Sequence, residues 1–242
     1  MRYDVFLPRW NKDLAYFCGL IVGDGSLPKG FSRRSNGKIQ KRYEISFVSI
    51  SLDFIMNVYK PLFERLFGLE PYIVRWKDKH KKNEIFYCRI ESKILYNFLT
   101  KKLGMISGKK ARIASPLKMP RRYKIYFLAG LLDTDGGKKG SGFGISTASR
   151  NLSKFIIEMF SNLKLDYRYC PWKFRERVYH QIYLNKKDSI KILYLIPLKN
   201  KEKIELLNNY ASMAQLGRAS EYNFPRMLGK QKVVGSIPTR GS

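Results

Sequence analysis

Two aspartates are set apart by their surroundings. Asp24 stands eighth in Phe17-Cys18-Gly19-Leu20-Ile21-Val22-Gly23-Asp24-Gly25, and Asp135 stands eighth in Leu128-Ala129-Gly130-Leu131-Leu132-Asp133-Thr134-Asp135-Gly136. Both runs are largely apolar, carry glycine third and close on Asp-Gly, and they lie nearly half the chain apart. A carboxylate at the C-terminal end of a helix meets the negative pole of the peptide dipoles, which disfavours it by about 0.3–1 kcal/mol. Two such groups held together also repel each other. A divalent cation relieves both penalties, and carboxylate oxygens are the hard donors that Mg²⁺ takes. Asp-Gly after a helix is by itself a common turn and cap signal. Recurrence in one register, each time ahead of strands, lifts this pair above that reading.

To bring the carboxylates together, the two runs must be helices that touch. Glycine inside a helix costs about 1 kcal/mol relative to alanine, so Gly19 and Gly130 need a compensating contact. Small residues at Cys18, Gly19 and Gly23, and at Ala129, Gly130 and Thr134, leave a flat strip on which a partner helix can lie. Two copies supply both partners, which predicts a pseudo-twofold pair with the aspartates side by side. The sequence after each copy is also alike. After the first come alternating stretches over 41–48, 72–76 and 85–90, with helical patterns over 52–67 and 92–103. After the second come 142–148, 167–174 and 177–184, with helical patterns over 152–163 and 187–195. Each half reads α-β-β-α-β-β-α, so the expected class is α+β: two pseudo-symmetric halves, each with an antiparallel sheet, packed through the two repeated helices. Asn11 or Asp13 suits the cap of the first helix, and Pro120 the start of the second. The expected division is 1–104, a linker over 105–120 holding Pro116, Pro120, Lys109, Lys110 and Arg112, a second half over 121–210, and an irregular or disordered tail over 211–242.

Both repeats resemble the LAGLIDADG motif, and the chain from about Lys12 to Leu195 resembles the single-chain, two-motif LAGLIDADG homing endonucleases. The second copy matches at Leu128, Ala129, Gly130, Leu131, Asp133, Asp135 and Gly136; the first keeps Gly19, Leu20, Ile21, Asp24 and Gly25. The resemblance implies a saddle of two sheets on duplex DNA and a monomeric enzyme making a staggered double-strand break with short 3′ overhangs. It implies metal held by Asp24 and Asp135 with the flanking Gly23 and Thr134, as roughly two or three Mg²⁺ ions, Mn²⁺ or Ca²⁺ substituting in binding. Basic or polar groups around the water would be Lys138, with Lys139 as alternative, in the second half, and Lys29 and Ser49 in the first. Two other roles go with the same fold: an intron maturase, with host RNA as partner, and a DNA-binding regulator that has lost its chemistry. The second tends to lose the acids, and both are present.

The charge fits a polyanionic partner. Lys and Arg number 47 against 19 Asp and Glu, a formal net charge of +28. Hydrophobic residues at 44% and aromatic residues at 14% exclude a disordered polycation. Basic and amide side chains on the strands are the expected DNA contacts: Lys38, Gln40, Arg42 and Glu44, then Arg75, Lys77 and Arg89, and in the second half Arg168, Lys173, Arg175, Arg177 and Gln181. The segment 29–37 reads as a loop tip. His80 and His180 read as ordinary surface or DNA-contacting histidines. Three scattered cysteines without CxxC exclude a disulfide framework and a structural zinc. Charges interrupt every apolar run before the roughly 20 residues of a membrane span. Arg2, Asp4 and Arg9 leave no signal-peptide core, so an intracellular setting is expected, in cytoplasm, nucleoid or an organelle. In the tail, 215–219 and 235–238 back-translate to sequences resembling tRNA D and T arms, as if the frame ran into a tRNA gene.

Overall fold

The computed structural model describes residues 5–33, 37–77, 84–106, 108–109, 117 and 119–222, without the side chains of Ser32, 108–109 and 213–222. The first half begins with α1 (Lys12–Asp24), capped by Asn11, whose side chain accepts from the Leu14 amide at 2.8 Å. Then follow β1 (Gly25–Leu27), β2 (Lys29–Arg33) and β3 (Ile39–Ser49). Next comes a helix that runs from α2 (Leu52–Phe54) through a π-helical turn (Ile55–Tyr59) into α3 (Lys60–Phe67). β4 (Tyr72–Trp76), β5 (Ile85–Glu91) and α4 (Lys93–Asn97) complete it, and β6 (Gly108–Lys109) lies between the halves. The second half has α5 (Lys124–Asp135), β7 (Gly137–Lys139), β8 (Gly142–Thr147), α6 (Arg150–Asn162), β9 (Tyr167–Phe174), β10 (Arg177–Leu184), α7 (Lys186–Leu195) and α8 (Lys201–Tyr222). Among the described residues no helix is long and apolar enough to cross a membrane.

The sheets are antiparallel, in the orders β4-β5-β3-β1-β6, with β2 also on β3, and β7-β8-β10-β9. Their registers repeat. Ser26, Ser46, Arg89 and Tyr72 lie opposite one another across the first sheet, as Gly137, Gly144, Tyr183 and Arg168 do across the second. Ser26 and Gly137 each stand two places beyond an aspartate, so this row fixes which residue of one half answers to which of the other. The strand-to-helix corners repeat as well. Ser51 and Ser149 cap their helices, and Ser49 Oγ and Thr147 Oγ1 accept from the amides of those capping serines, each at 3.1 Å.

Helices cover one side of each sheet, where the aromatic core sits. Phe17 of α1 meets Phe63 and Phe67 edge-on at 5.7 and 5.1 Å, and Phe47 of β3 stacks on Tyr59 at 4.3 Å. In the second half Phe127 of α5 meets Phe155 of α6 at 5.2 Å. Each buried phenylalanine stabilises the fold by about 1.5–3 kcal/mol.

Two expectations change. Residues 29–33 form a strand instead of a loop tip, paired from Lys29 with Tyr43 to Arg33 with Ile39. With one apolar residue, Phe31, this stretch has no burial pattern to read; it is held by backbone pairing to the long β3. The tail is not irregular from residue 211, because α8 continues to Tyr222. Ala, Met, Gln, Leu and Arg over 211–219 favour helix, and the lone Gly217 costs only about 1 kcal/mol there. His80, Lys110, Arg112, Pro116 and the tail from 223 onward lie outside the described residues.

Candidate active site

α1 and α5 cross with no side chain between them at Gly19 and Gly130. A Cβ on Gly19 would come within 2.2 Å of the Phe127 carbonyl oxygen, and one on Gly130 within 2.2 Å of the Tyr16 carbonyl oxygen. The contacts are reciprocal, since Phe127 and Tyr16 each precede the glycine of their own helix by one turn. One turn further on, a Cβ on Gly23 would collide with Thr134 Oγ1 at 1.9 Å. The contacts advance in the same direction along both helices, so the pair is parallel. Asp24 and Asp135 follow the touching residues Gly23 and Thr134, and both leave the same end of the pair. Gly25 and Gly136 then turn the chain into extended conformation, their amides closing the last turns on Ile21 and Leu132. Both aspartates are exposed. The Thr134 hydroxyl donates back to the carbonyls of Gly130 and Leu131 at 3.1 and 2.9 Å.

Asp133 holds the seam from one side, a role the sequence reading missed. Its carboxylate is 1% exposed and accepts from the Tyr16 hydroxyl of α1 at 2.6 Å and from the amides of Lys199 and Asn200 at 2.8 and 3.1 Å. The Asn200 side chain returns a bond to the Asp133 carbonyl at 2.8 Å, which fastens the start of α8 to the end of α5. Burial raises the Asp133 pKa to about 6, against the pull of the Tyr16 and backbone hydrogen bonds. An acid inside an apolar helical run was the available signal. Asp133→Ala leaves the Tyr16 hydroxyl and the Lys199 and Asn200 amides without their acceptor and is expected to cost about 3–5 kcal/mol in urea unfolding. Because the folded pKa lies above the ordinary carboxylate value of about 4, the contribution of Asp133 falls as pH rises from about 4 to about 6 and is level above. The stability gap between wild type and Asp133→Ala should narrow across that window; a gap independent of pH would mean that the carboxylate titrates normally.

A cavity of about 300 Å³ lies beside these residues, lined by Asp24, Ser49, Asp133, Thr134, Asn200 and Lys203 among others. Ser49 thus shares a cavity with Asp24, although its Oγ already caps the corner. Lys138 is exposed on the edge strand β7, opposite Phe143, and Lys139 lies opposite Gly142 on the other face. The repeated register makes Leu27 the counterpart of Lys138, and Leu27 is fully buried. Lys29 lies further along, paired with Tyr43 on the helix-covered face, its Nζ 5.9 Å from the Tyr43 ring centre. The two halves therefore carry unlike residues, Leu27 and Lys138, at the matching position.

The predicted DNA-contacting residues divide between two faces. Strand alternation and register place Gln40, Arg42, Glu44, Arg89, Arg168, Arg177 and Gln181 on the faces turned away from the helices. Arg42 bridges Glu44 and Glu91 there at 2.5 and 2.7 Å through Nη2 and Nε. Arg75, ion-paired to Glu84, and Lys173 fall on the opposite faces. Lys38 and Lys77 stand at strand ends, and Arg175 occupies the β9–β10 turn with φ +56°. His180, expected at the surface, is instead nearly buried on the helix side, with Nδ1 2.7 Å from the Tyr169 hydroxyl. Tyr169 covers it.

Solved structures of LAGLIDADG homing endonucleases share this architecture. I-DmoI in complex with DNA and Mn aligns with TM-score 0.55 and 22% identity, over 76% of this chain and 96% of its own. I-DmoI with DNA and Ca gives 0.57 and 22%, over 81% and 96%. I-SmaMI bound to cleaved DNA gives 0.56 and 15%, over 91% and 94%. An A-type ATP synthase component of Methanopyrus kandleri is 24% identical over 222 residues, 89% of this chain, and the chain spans 19% of that protein's length. No family model matches the chain.

Proposed function

From a chain with the fold of the LAGLIDADG homing endonucleases, we propose a site-specific DNA endonuclease that makes a staggered double-strand break, each half cutting one strand. The observation that carries this reading is the exit of Asp24 and Asp135 from the same end of a parallel helix pair. The donor set fits a divalent cation of the magnesium type. Among the described residues no group of three or more His, Cys, Asp or Glu could hold a metal. Two carboxylates, with water and substrate phosphate completing the coordination, are what Mg²⁺ commonly takes, in place of an all-protein cage. Asp24 and Asp135 would hold the ions, with the carbonyl oxygens of Gly23 and Thr134 as further oxygen donors. When bound, the ions supply charge to the scissile phosphate and acidify the attacking water. Lys138 faces the phosphate in the second half and holds the water or the leaving oxygen by hydrogen bond. The first half lacks a cation at the equivalent place and relies on Lys29 or on water ordered near Ser49, which makes its cut the slower one.

The outward sheet faces supply binding, with Arg89, Arg168, Arg177 and Gln181 aimed at phosphates and base edges. With a net charge of +28, affinity is dominated by counterion release. If at least about six phosphates are neutralised, affinity falls about a thousandfold or more between about 50 and about 200 mM salt, and a flat plot of log K against log salt would remove the charge argument. The function is tested by incubating the protein with a randomised duplex library and Mg²⁺ and sequencing the cut ends. One long site with short 3′ overhangs supports the reading. An uncut library, or blunt and scattered ends, overturns it.

A further inference from the structure

Two of the three tryptophans occupy the same place in the two halves. Trp76 lies opposite Ile85, four residues along β4 from Tyr72, and Trp172 lies opposite Tyr179, four residues along β9 from Arg168. Tyr72 and Arg168 are the matching members of the repeated row, so the indoles are pseudo-twofold mates. Both are on the faces turned away from the helices, exposed by 45% and 44%. Each is braced by a same-face ring: Tyr87 edge-on at 6.4 Å from Trp76, and Tyr179 stacked at 4.8 Å on Trp172. Exposing an indole twice, at equivalent positions of faces that also carry Arg89, Arg168 and Gln181, needs an occupant with apolar and anionic parts.

We infer that Trp76 and Trp172 are matched specificity residues that pack against thymine C5-methyl groups, one in each half of the duplex target. The inference rests on the proposed function and adds its base preference. Paired bases hide their π-faces, and in the major groove the thymine methyl is the apolar feature of a base edge. A duplex of RNA has a major groove too deep and narrow for these side chains, so the occupant is DNA. Bracing by Tyr87 and Tyr179 keeps the indoles from collapsing onto the sheet, which lowers the entropy lost on contact.

The test begins with the target recovered from the randomised library. Thymine should be enriched at one position in each half-site, at equal distances from the cut. Trp76→Ser should relax the preference in one half-site only, and Trp172→Ser in the other only. Replacing that thymine by deoxyuridine removes the methyl and leaves base pairing intact. Unaltered protein should then bind about fourfold more weakly, the worth of about one buried methyl group, while the matching serine variant should be indifferent to the change. The deoxyuridine arm needs no variant to fold. Equal binding of thymine and deoxyuridine targets by unaltered protein, or serine variants with unchanged preferences, would overturn the inference while the nuclease stands. A library with no recovered site removes the nuclease reading itself, and this inference with it.

Discussion

Asp24→Asn or Asp135→Asn is expected to stop linearisation of a plasmid carrying the target, the rate of double-strand cleavage falling at least about a thousandfold. The amide keeps the size of the side chain and loses the charge that holds the cation. Loss of the metal's several kcal/mol of transition-state stabilisation corresponds to that factor, at about 1.4 kcal/mol per tenfold. Binding should survive, because it is spread over two basic sheet faces and because removing a carboxylate near phosphate lessens repulsion. The expected Kd change is within about threefold, in the direction of tighter binding. Resolving supercoiled, nicked and linear DNA over time measures the first quantity, and a filter or gel assay the second. Undiminished cutting by both variants would refute the assignment of the two carboxylates.

A clear loss of stability is also expected from substitution at the helix crossing. Gly19→Ala and Gly130→Ala each push a methyl to 2.2 Å from a carbonyl oxygen and 2.9 Å from an amide nitrogen of the facing helix. All of these are backbone atoms, so no rotamer change can make room and the helices must separate. Alanine gains about 1 kcal/mol in helix propensity. Overpacking costs about 1–3 kcal/mol where side chains can adjust and more against fixed backbone, so the net change is a loss of about 2 kcal/mol. Gly30→Ala and Gly137→Ala are the controls, since a Cβ at either site meets nothing within 4 Å. Denaturant midpoints should fall clearly for the first pair and little for the second. The double variant Gly19→Ala, Gly130→Ala should be less damaging than the sum, because one separation accommodates both methyls.

Much of this arrangement was legible in the sequence because the two halves spell it twice. The motif helices, the strands at 72–76, 167–174 and 177–184, and the helix over 52–67 follow from periodicities of 2 and 3.6 that burial on one face imposes. What escaped reading lacks that imprint. β1 and β7 are too short to alternate, and β2 is held by backbone pairing. The far end of α8 is helical without an apolar stripe. At the site, the repeat announced Asp24 and Asp135, whereas Asp133 acts through residues 16, 199 and 200, a set that only the fold assembles. Lys29 stands five residues past Asp24 and Lys138 three past Asp135, and both that spacing and the strand register give Leu27 as the residue equivalent to Lys138.

The helix seam is a lock with a keyed side. Thr134 protrudes where Gly23 recedes, and Tyr16 donates where Asp133 accepts; swapping roles would set Phe127 against Val22, with no bond to make. A second half paired with a copy of itself would bring two threonines into one gap and bury two aspartates without their tyrosine. A first half paired with its own copy would leave a void between glycines. Each half therefore selects its covalently attached mate over its twin, and the union is biased toward one heterologous partnership even before the linker constrains it.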